Sequence, residues 1–276
     1  MPSLLPALLI LLLASARVEV PQTVPAQDGG DKGPGFSGEY LQYKVKWWIF
    51  RLGTIGMKTV LADDSAYGKV YLVDLTLESN PTLFFISVHS HFESVIQRSP
   101  VRCLQFRGYD YSGADTIFTH YWMVDSLHLV RMQQWNLKRN ELLKDESIDS
   151  VDSFYEGTSL VYLARTLLHS NLRVTAPTMV DMSFFPTEIN FTPRVVPVEI
   201  DAVDYPINGR ELYGKANYVE KSLAGFSGAF RGWFSDDQAA IPIRAEMNLS
   251  LGTADVILEQ WSRGTWAPPP FQDYER

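Results

Sequence analysis

Cysteine is almost absent. Cys103 is the single one in 276 residues, which excludes an internal disulfide framework and any zinc site built from several thiolates. Its neighbours Leu104 and Phe106 suggest a strand, where a lone Cys acts as a small buried hydrophobe. No run of Lys or Arg occurs, and the net charge is -8. Both argue against nucleic acid, which needs clustered cations to neutralise phosphates, and against docking on anionic lipid by charge alone. Beyond the N-terminus no apolar segment approaches the roughly 20 residues that a membrane helix requires. No glycine-rich loop follows a strand and opens a helix, which excludes a phosphate cradle. No Gly-x-Ser-x-Gly elbow occurs; Gly225-Phe226-Ser227-Gly228 is one residue short of it and reads as a bend.

What is present starts with an almost unbroken apolar run from Leu4 to Leu13, followed by Ala14-Ser15-Ala16. That is the pattern of a secretory signal peptide, residues 1–16, with an alternative cleavage after Ala26 in Val24-Pro25-Ala26. The expected location is therefore outside the cytosol. Residues 17–36 are rich in Pro, Gly, Gln and Asp and read as a flexible lead-in. Apolar residues make up 46% and charged residues 20%, enough for one substantial core.

From Glu39 onward, short runs of β-branched and aromatic residues recur between turn residues, which predicts antiparallel all-β structure. Val70 to Leu77 shows the period of two: Tyr71, Val73, Leu75 and Leu77 lie on one side. Strands are predicted near 39–50, 55–62, 70–77, 86–98, 102–111, 115–124 and 127–135, and again at 175–182, 187–192, 195–202, 207–222, 224–234, 240–250 and 253–261. The exception is 153–170, where Leu160, Leu163, Ala164, Leu167 and Leu168 recur at helical spacing, with Thr158 or Ser159 as the cap. The polar stretch 136–152 is expected to link the first strands to this helix, and the Pro-rich tail, 262–276, to be loose because Pro donates no ladder bond. The predicted architecture is one antiparallel, strongly curved sheet or open barrel with one packed helix, over 37–261. A β-sandwich is the alternative.

Two clusters of polar residues invite a functional reading. On a strand, His89, His91 and Glu93 share one face, and two imidazoles and a carboxylate are sound ligands for zinc or another divalent ion. The opposite face, with Val88, Phe92 and Ile96, reads as the buried side, so the His face is expected in solvent. Asp236-Asp237 stands between two alternating runs, Phe230–Ser235 and Ile241–Asn248. Adjacent carboxylates at a solvated hairpin tip share one environment, and a catalytic pair needs two; Ser and Asp there suit a turn. Arg165, on the helix, is expected to be the buried partner of a strand carboxylate.

Several segments together resemble a known family. They are Gly38-Glu39-x-Leu41-x-Tyr43-x-Val45-x-Trp47 followed by Gly53-x-x-Gly56, the helix Ser159–Arg165, Trp233-Phe234-Ser235-Asp236-Asp237-x-x-x-Ile241-Pro242, and Gly252-x-Ala254-x-Val256-x-Leu258. In this order they are similar to the bacterial domain-of-unknown-function 3108 family. The resemblance implies an exported protein of mostly β fold, in the periplasm or at the outer membrane. It makes Trp233, Asp236, Asp237, Pro242 and Arg165 a structural signature and supplies no catalytic residues.

The expected function is non-catalytic: an envelope protein that binds an apolar small molecule, a peptide or another envelope protein, with the concavity of the curved sheet as the site for a ligand. No cofactor is expected. The alternatives are a metal-dependent hydrolase using His89 and His91, and a structural interaction domain without a pocket.

Overall fold

The computed structural model describes residues 35–83, 87–217, 228–249 and 252–272. The expected signal peptide lies outside them, as does nearly all of the lead-in and of the Gly225–Gly228 bend. Among these residues fourteen strands form one antiparallel sheet in the order β8-β7-β6-β5-β4-β3-β2-β1-β14-β13-β12-β11-β10-β9. The first half comprises β1 (Glu39–Trp47), β2 (Phe50–Asp64), β3 (Gly68–Ser79), β4 (His89–Arg98), β5 (Val101–Asp110), β6 (Ile117–Val124), β7 (Leu129–Asn136) and β8 (Glu141–Asp149). One α-helix, α1 (Gly157–Leu167), follows. Then come β9 (Arg173–Val180), β10 (Ser183–Val198), β11 (Ile207–Ala216), β12 (Ala229–Ser235), β13 (Pro242–Leu249) and β14 (Gly252–Ser262). Each strand pairs with the next in sequence apart from the helix crossing, and β1 meets β14 at the centre. Among the described residues, no helix is long and apolar enough to cross a membrane.

The sheet curls because one face is apolar along nearly every strand. Leu41, Tyr43 and Val45 of β1, Ile55 and Met57 of β2, Phe185 and Ile189 of β10, and Ala254 and Leu258 of β14 join one buried cluster with Leu160, Tyr162, Leu163 and Leu167 of α1. Burying these side chains removes apolar surface from water at about 25 cal/mol per Å². The curl brings β5 and β9 to within one chain of each other. Phe154 and Tyr155 fill the gap: Cys103 N–H donates to Phe154 O at 3.0 Å, Tyr155 N–H to Pro177 O at 2.8 Å and Met179 N–H to Tyr155 O at 2.7 Å. Strands β6–β8 continue past this seam. Their inner side holds Tyr121, Met123, Val130 and Met132, which pack with Cys103, Phe154, Met179 and Met182 in a second cluster. Cys103 is fully buried, and burial pushes its thiol pKa up.

Four expectations need correction. The segment 136–152 is not a linker: Glu141–Asp149 forms β8 and pairs with β7. It escapes the pattern test because neither side is buried, with Glu141–Ser147 exposed throughout. The turn before it uses Asn140 at φ 51°, a left-handed conformation that Asn tolerates. The pieces expected at 187–192 and 195–202 are one strand, β10, with a register shift between Phe191 and Val195. The helix is shorter than 153–170 and its cap is Glu156, whose carboxylate accepts Thr158 N–H at 2.7 Å and Ser159 N–H at 2.8 Å. Ser159 Oγ returns the bond by accepting Glu156 N–H at 2.8 Å, a capping box with the two residue types exchanged. Finally, the described part of the Pro-rich tail, 262–272, is held. Asn208 N–H donates to Pro269 O at 2.9 Å and Phe271 N–H to Pro206 O at 2.7 Å. Pro cannot donate, but its carbonyl still accepts.

Candidate functional site

The residues flagged in the sequence fall into three places. The first is a buried ionic hub at the C-terminal half of α1. Arg165 donates to both oxygens of Glu39, at 2.6 and 2.8 Å, and to Ala239 O at 2.9 Å. Both side chains are fully buried. Arg263 Nη1 adds a contact to Glu39 Oε2 at 2.7 Å, and the Arg165 guanidinium lies 4.0 Å from the Phe36 ring centroid. Burial pushes the Arg165 pKa down, but the bonds from Glu39 outweigh it and the net shift is upward. A charge-assisted fork of this kind fixes the helix against β1 in one orientation. The helix is also tied to β2, where Tyr162 Oη bonds Thr59 Oγ1.

The Asp236–Asp237 corner closes the same end. It is a turn, but not a solvated tip: Ser235, Ala239, Ala240 and Ile241 are buried. Asp237 Oδ1 accepts the Ser235 hydroxyl at 2.8 Å and the N–H groups of Ala239 and Ala240 at 3.0 and 3.1 Å. Its other oxygen accepts Trp266 Nε1–H at 2.7 Å. Asp236 accepts Arg210 Nε–H at 2.6 Å and lies 3.6 Å from His169. Both oxygens of Asp237 hold backbone or tail and Asp236 pairs with Arg210, an arrangement suited to bracing rather than proton transfer. Pro242 starts β13 opposite Phe234, at the end of a ladder where a missing N–H is tolerated.

The second place is the outer face of β4–β7. His89, His91 and Glu93 do share it, but each turns to its own neighbour. His89 Nδ1 is 2.6 Å from Glu78, His91 Nε2 is 2.8 Å from Asp74, and Glu93 is 3.7 Å from Arg107. Among the described residues no three His, Cys, Asp or Glu side chains converge as metal ligands would. His120 faces the same way on β6. Its pKa is lowered to about 4, first by burial and then by Arg107, and its Nε2 lies 2.8 Å from the Gln105 amide. Aromatic rings tie this face together: His91–Tyr109 at 6.0 Å, Tyr109–Phe118 at 4.9 Å and His120–Trp122 at 4.4 Å between centroids. Such ring contacts, where they join residues of neighbouring strands, add to strand cohesion.

The third place was not legible as a site. On the outer face of β11–β13, Glu211 is fully buried and accepts Arg231 Nε–H at 2.5 Å, with Arg194 at 3.4 Å and the Tyr213 hydroxyl also bonded to it. Trp233 lies between two guanidinium groups, 4.6 Å from Arg231 and 5.7 Å from Arg244 at its ring centroid. It belongs to the main buried cluster, with the two guanidinium groups held against its ring. The hub itself left a trace in the sequence. Glu39 belongs to the series with Leu41, Tyr43 and Val45, so a carboxylate stands on an apolar face and needs a cation.

A cavity of about 470 Å³ lies on the outer side, between Lys46, Asp255 and Arg244 of the sheet and the 199–206 loop, which contributes Asp201, Asp204 and Tyr205. Lys44 is paired with Asp201 beside it. Its lining mixes charges of both signs with Ile200, Val203, Pro206 and Ile257.

No family model matches the chain, and no curated protein matches it. Among solved structures it is similar to a β-barrel-like protein of domain of unknown function 1849 from Brucella abortus, at 8% sequence identity and a TM-score of 0.49, covering 81% of this chain and 96% of that one.

Proposed function

We propose that this chain is a non-catalytic interaction domain of a bacterial cell envelope, exported by its N-terminal segment and akin to the domain-of-unknown-function 3108 family. The observation that carries the reading is the occupant of the concavity. Helix α1 lies inside the curl, with Thr158, Leu160, Tyr162, Leu163, Arg165 and Leu167 all buried. Phe36, Tyr71 and Tyr162 pack ring to ring there, with centroids 5.3–5.8 Å apart. The chain's own side chains thus take the place that an apolar ligand would need, and binding is left to the outer surface and the strand edges. The polar residues of the hub and the corner are absorbed in holding α1, which supports a scaffold role over a catalytic one.

Three measurements test this reading. Mass spectrometry of material extracted from purified protein should find no stoichiometric lipid or other apolar small molecule; a bound lipid would restore the carrier function. Metal analysis of the wild type against His89→Ala/His91→Ala should show no difference. Zinc held by the wild type and lost in the variant would favour the hydrolase. Export is tested by sequencing the N-terminus of the mature chain, expected to begin after Ala16 or after Ala26.

A further inference from the structure

We propose that β8 is a docking strand: an extended, Lys- or Arg-rich segment of a partner adds to the sheet along its outer edge by main-chain pairing. The inference rests on the interaction-domain reading and names the surface and the chemistry of the partner. β8 ends the sheet, pairing with β7 and, among the described residues, with no second strand. The other end is different. β9 is already met by Tyr155, which takes Pro177 O and gives its own carbonyl to Met179 N–H.

The exposure of β8 is also unusual. Its first seven residues are exposed one after another, Leu142 and Leu143 included. A strand covered on neither face leaves a row of main-chain donors and acceptors in solvent, which is the template that strand addition uses. Charge selects the partner. β8 carries Glu141, Asp145, Glu146 and Asp149 against the single Lys144. Two copies pairing through β8 would bring two such acidic strands together, and like charges across a ladder are destabilising. A cationic strand would instead meet carboxylates. Leu142, beside Trp135 of β7, offers an apolar contact at one end.

The probe is a synthetic peptide alternating lysine and valine over the length of β8, added to the full chain under hydrogen exchange. Amides of Glu141–Asp149 are expected to slow, and the glutamate–valine counterpart is expected to bind about tenfold more weakly or worse, a difference of about 1.4 kcal/mol or more. Glu146→Lys/Asp149→Lys, two substitutions at or near the open surface, should reproduce that loss in the protein. A peptide N-methylated at alternate residues keeps its charge and loses main-chain donors; it should not protect β8. Unchanged exchange in β8, or equal binding by the N-methylated peptide, would overturn the docking strand. Neither result bears on extracted lipid or bound metal, which test the interaction-domain reading separately.

Discussion

The two ends of the sheet are built from the same kind of ladder and differ in what covers them. At β9, Ala176, Thr178, Met179 and Val180 are buried, the main-chain edge is met by Tyr155, and α1 leans against the strand from inside. At β8, one strand neighbour supplies nearly all the order, and a single residue, Ile148, escapes full exposure. The difference separates two ways of keeping a strand. One buries side chains, with hydrogen bonds as the condition of burial. The other relies on main-chain bonds and cross-strand contacts, each worth about 0.2–1 kcal/mol. The closed side should therefore carry the global stability, and the β6–β8 side should open at lower cost.

The largest effect is expected at the hub. Arg165→Ala leaves the Glu39 carboxylate buried with Arg263 alone, and removing one partner of a buried pair costs about 3–5 kcal/mol; urea unfolding should show it. A loss under about 1 kcal/mol would mean that solvent reaches Glu39, where a pair is worth that little. Next, Trp266→Phe removes the donor to Asp237 while keeping a ring against Trp261, and a bond to a charged group is worth about 1.5–3 kcal/mol. Destabilisation with faster proteolysis of the tail is expected, and an unchanged tail would show that the Pro269 and Phe271 bonds suffice.

The two sides should also respond to pH with opposite signs. Glu156, at the seam, has its pKa raised by burial, partly offset by its bonds to Thr158 and Ser159. The folded state then holds its proton longer, so stability falls as pH rises above the unfolded Glu value of about 4.3. Glu156→Gln should remove that fall. His120, beyond the seam, has its pKa lowered to about 4. Its neutral form is favoured on folding, so stability is lost as pH falls from about 6.5 toward 4. His120→Gln should flatten that region. Denaturation midpoints measured across pH 3–8 check both, and a wild-type slope unchanged in either variant would sink the corresponding assignment.

The smallest effect belongs to the open side. Asp145 meets Arg131 at 3.1 Å in solvent, and exposed pairs contribute about 0–1 kcal/mol. Asp145→Asn should shift global unfolding by less than that while hastening amide exchange in β8. A global effect as large as that of Arg165→Ala would erase the distinction between the two sides.

How much could be read beforehand follows the same division. The alternation in Val70–Leu77 was legible because one side of that strand is largely buried. β8 was not legible, because a strand exposed on both faces carries no apolar period. The helix was legible from its leucines, but its cap was not, since Glu is an uncommon N-cap and only the reciprocal bond with Ser159 makes it work. For the site, Arg165 and the Asp236–Asp237 corner could be flagged as structural from their types and neighbours. Their joining through Ala239, with Glu39 from the first strand and Trp266 from the tail, could not.

By itself the amino-acid order determined the antiparallel β class and the helix near 153–170, because period and turn chemistry are local. The tertiary structure alone decided that the helix occupies the curl, that the tail is pinned, and that one edge is covered while the other stands open. Those outcomes depend on contacts between segments as far apart as Glu39 and Arg263, and no local pattern encodes which distant charge a buried carboxylate will find.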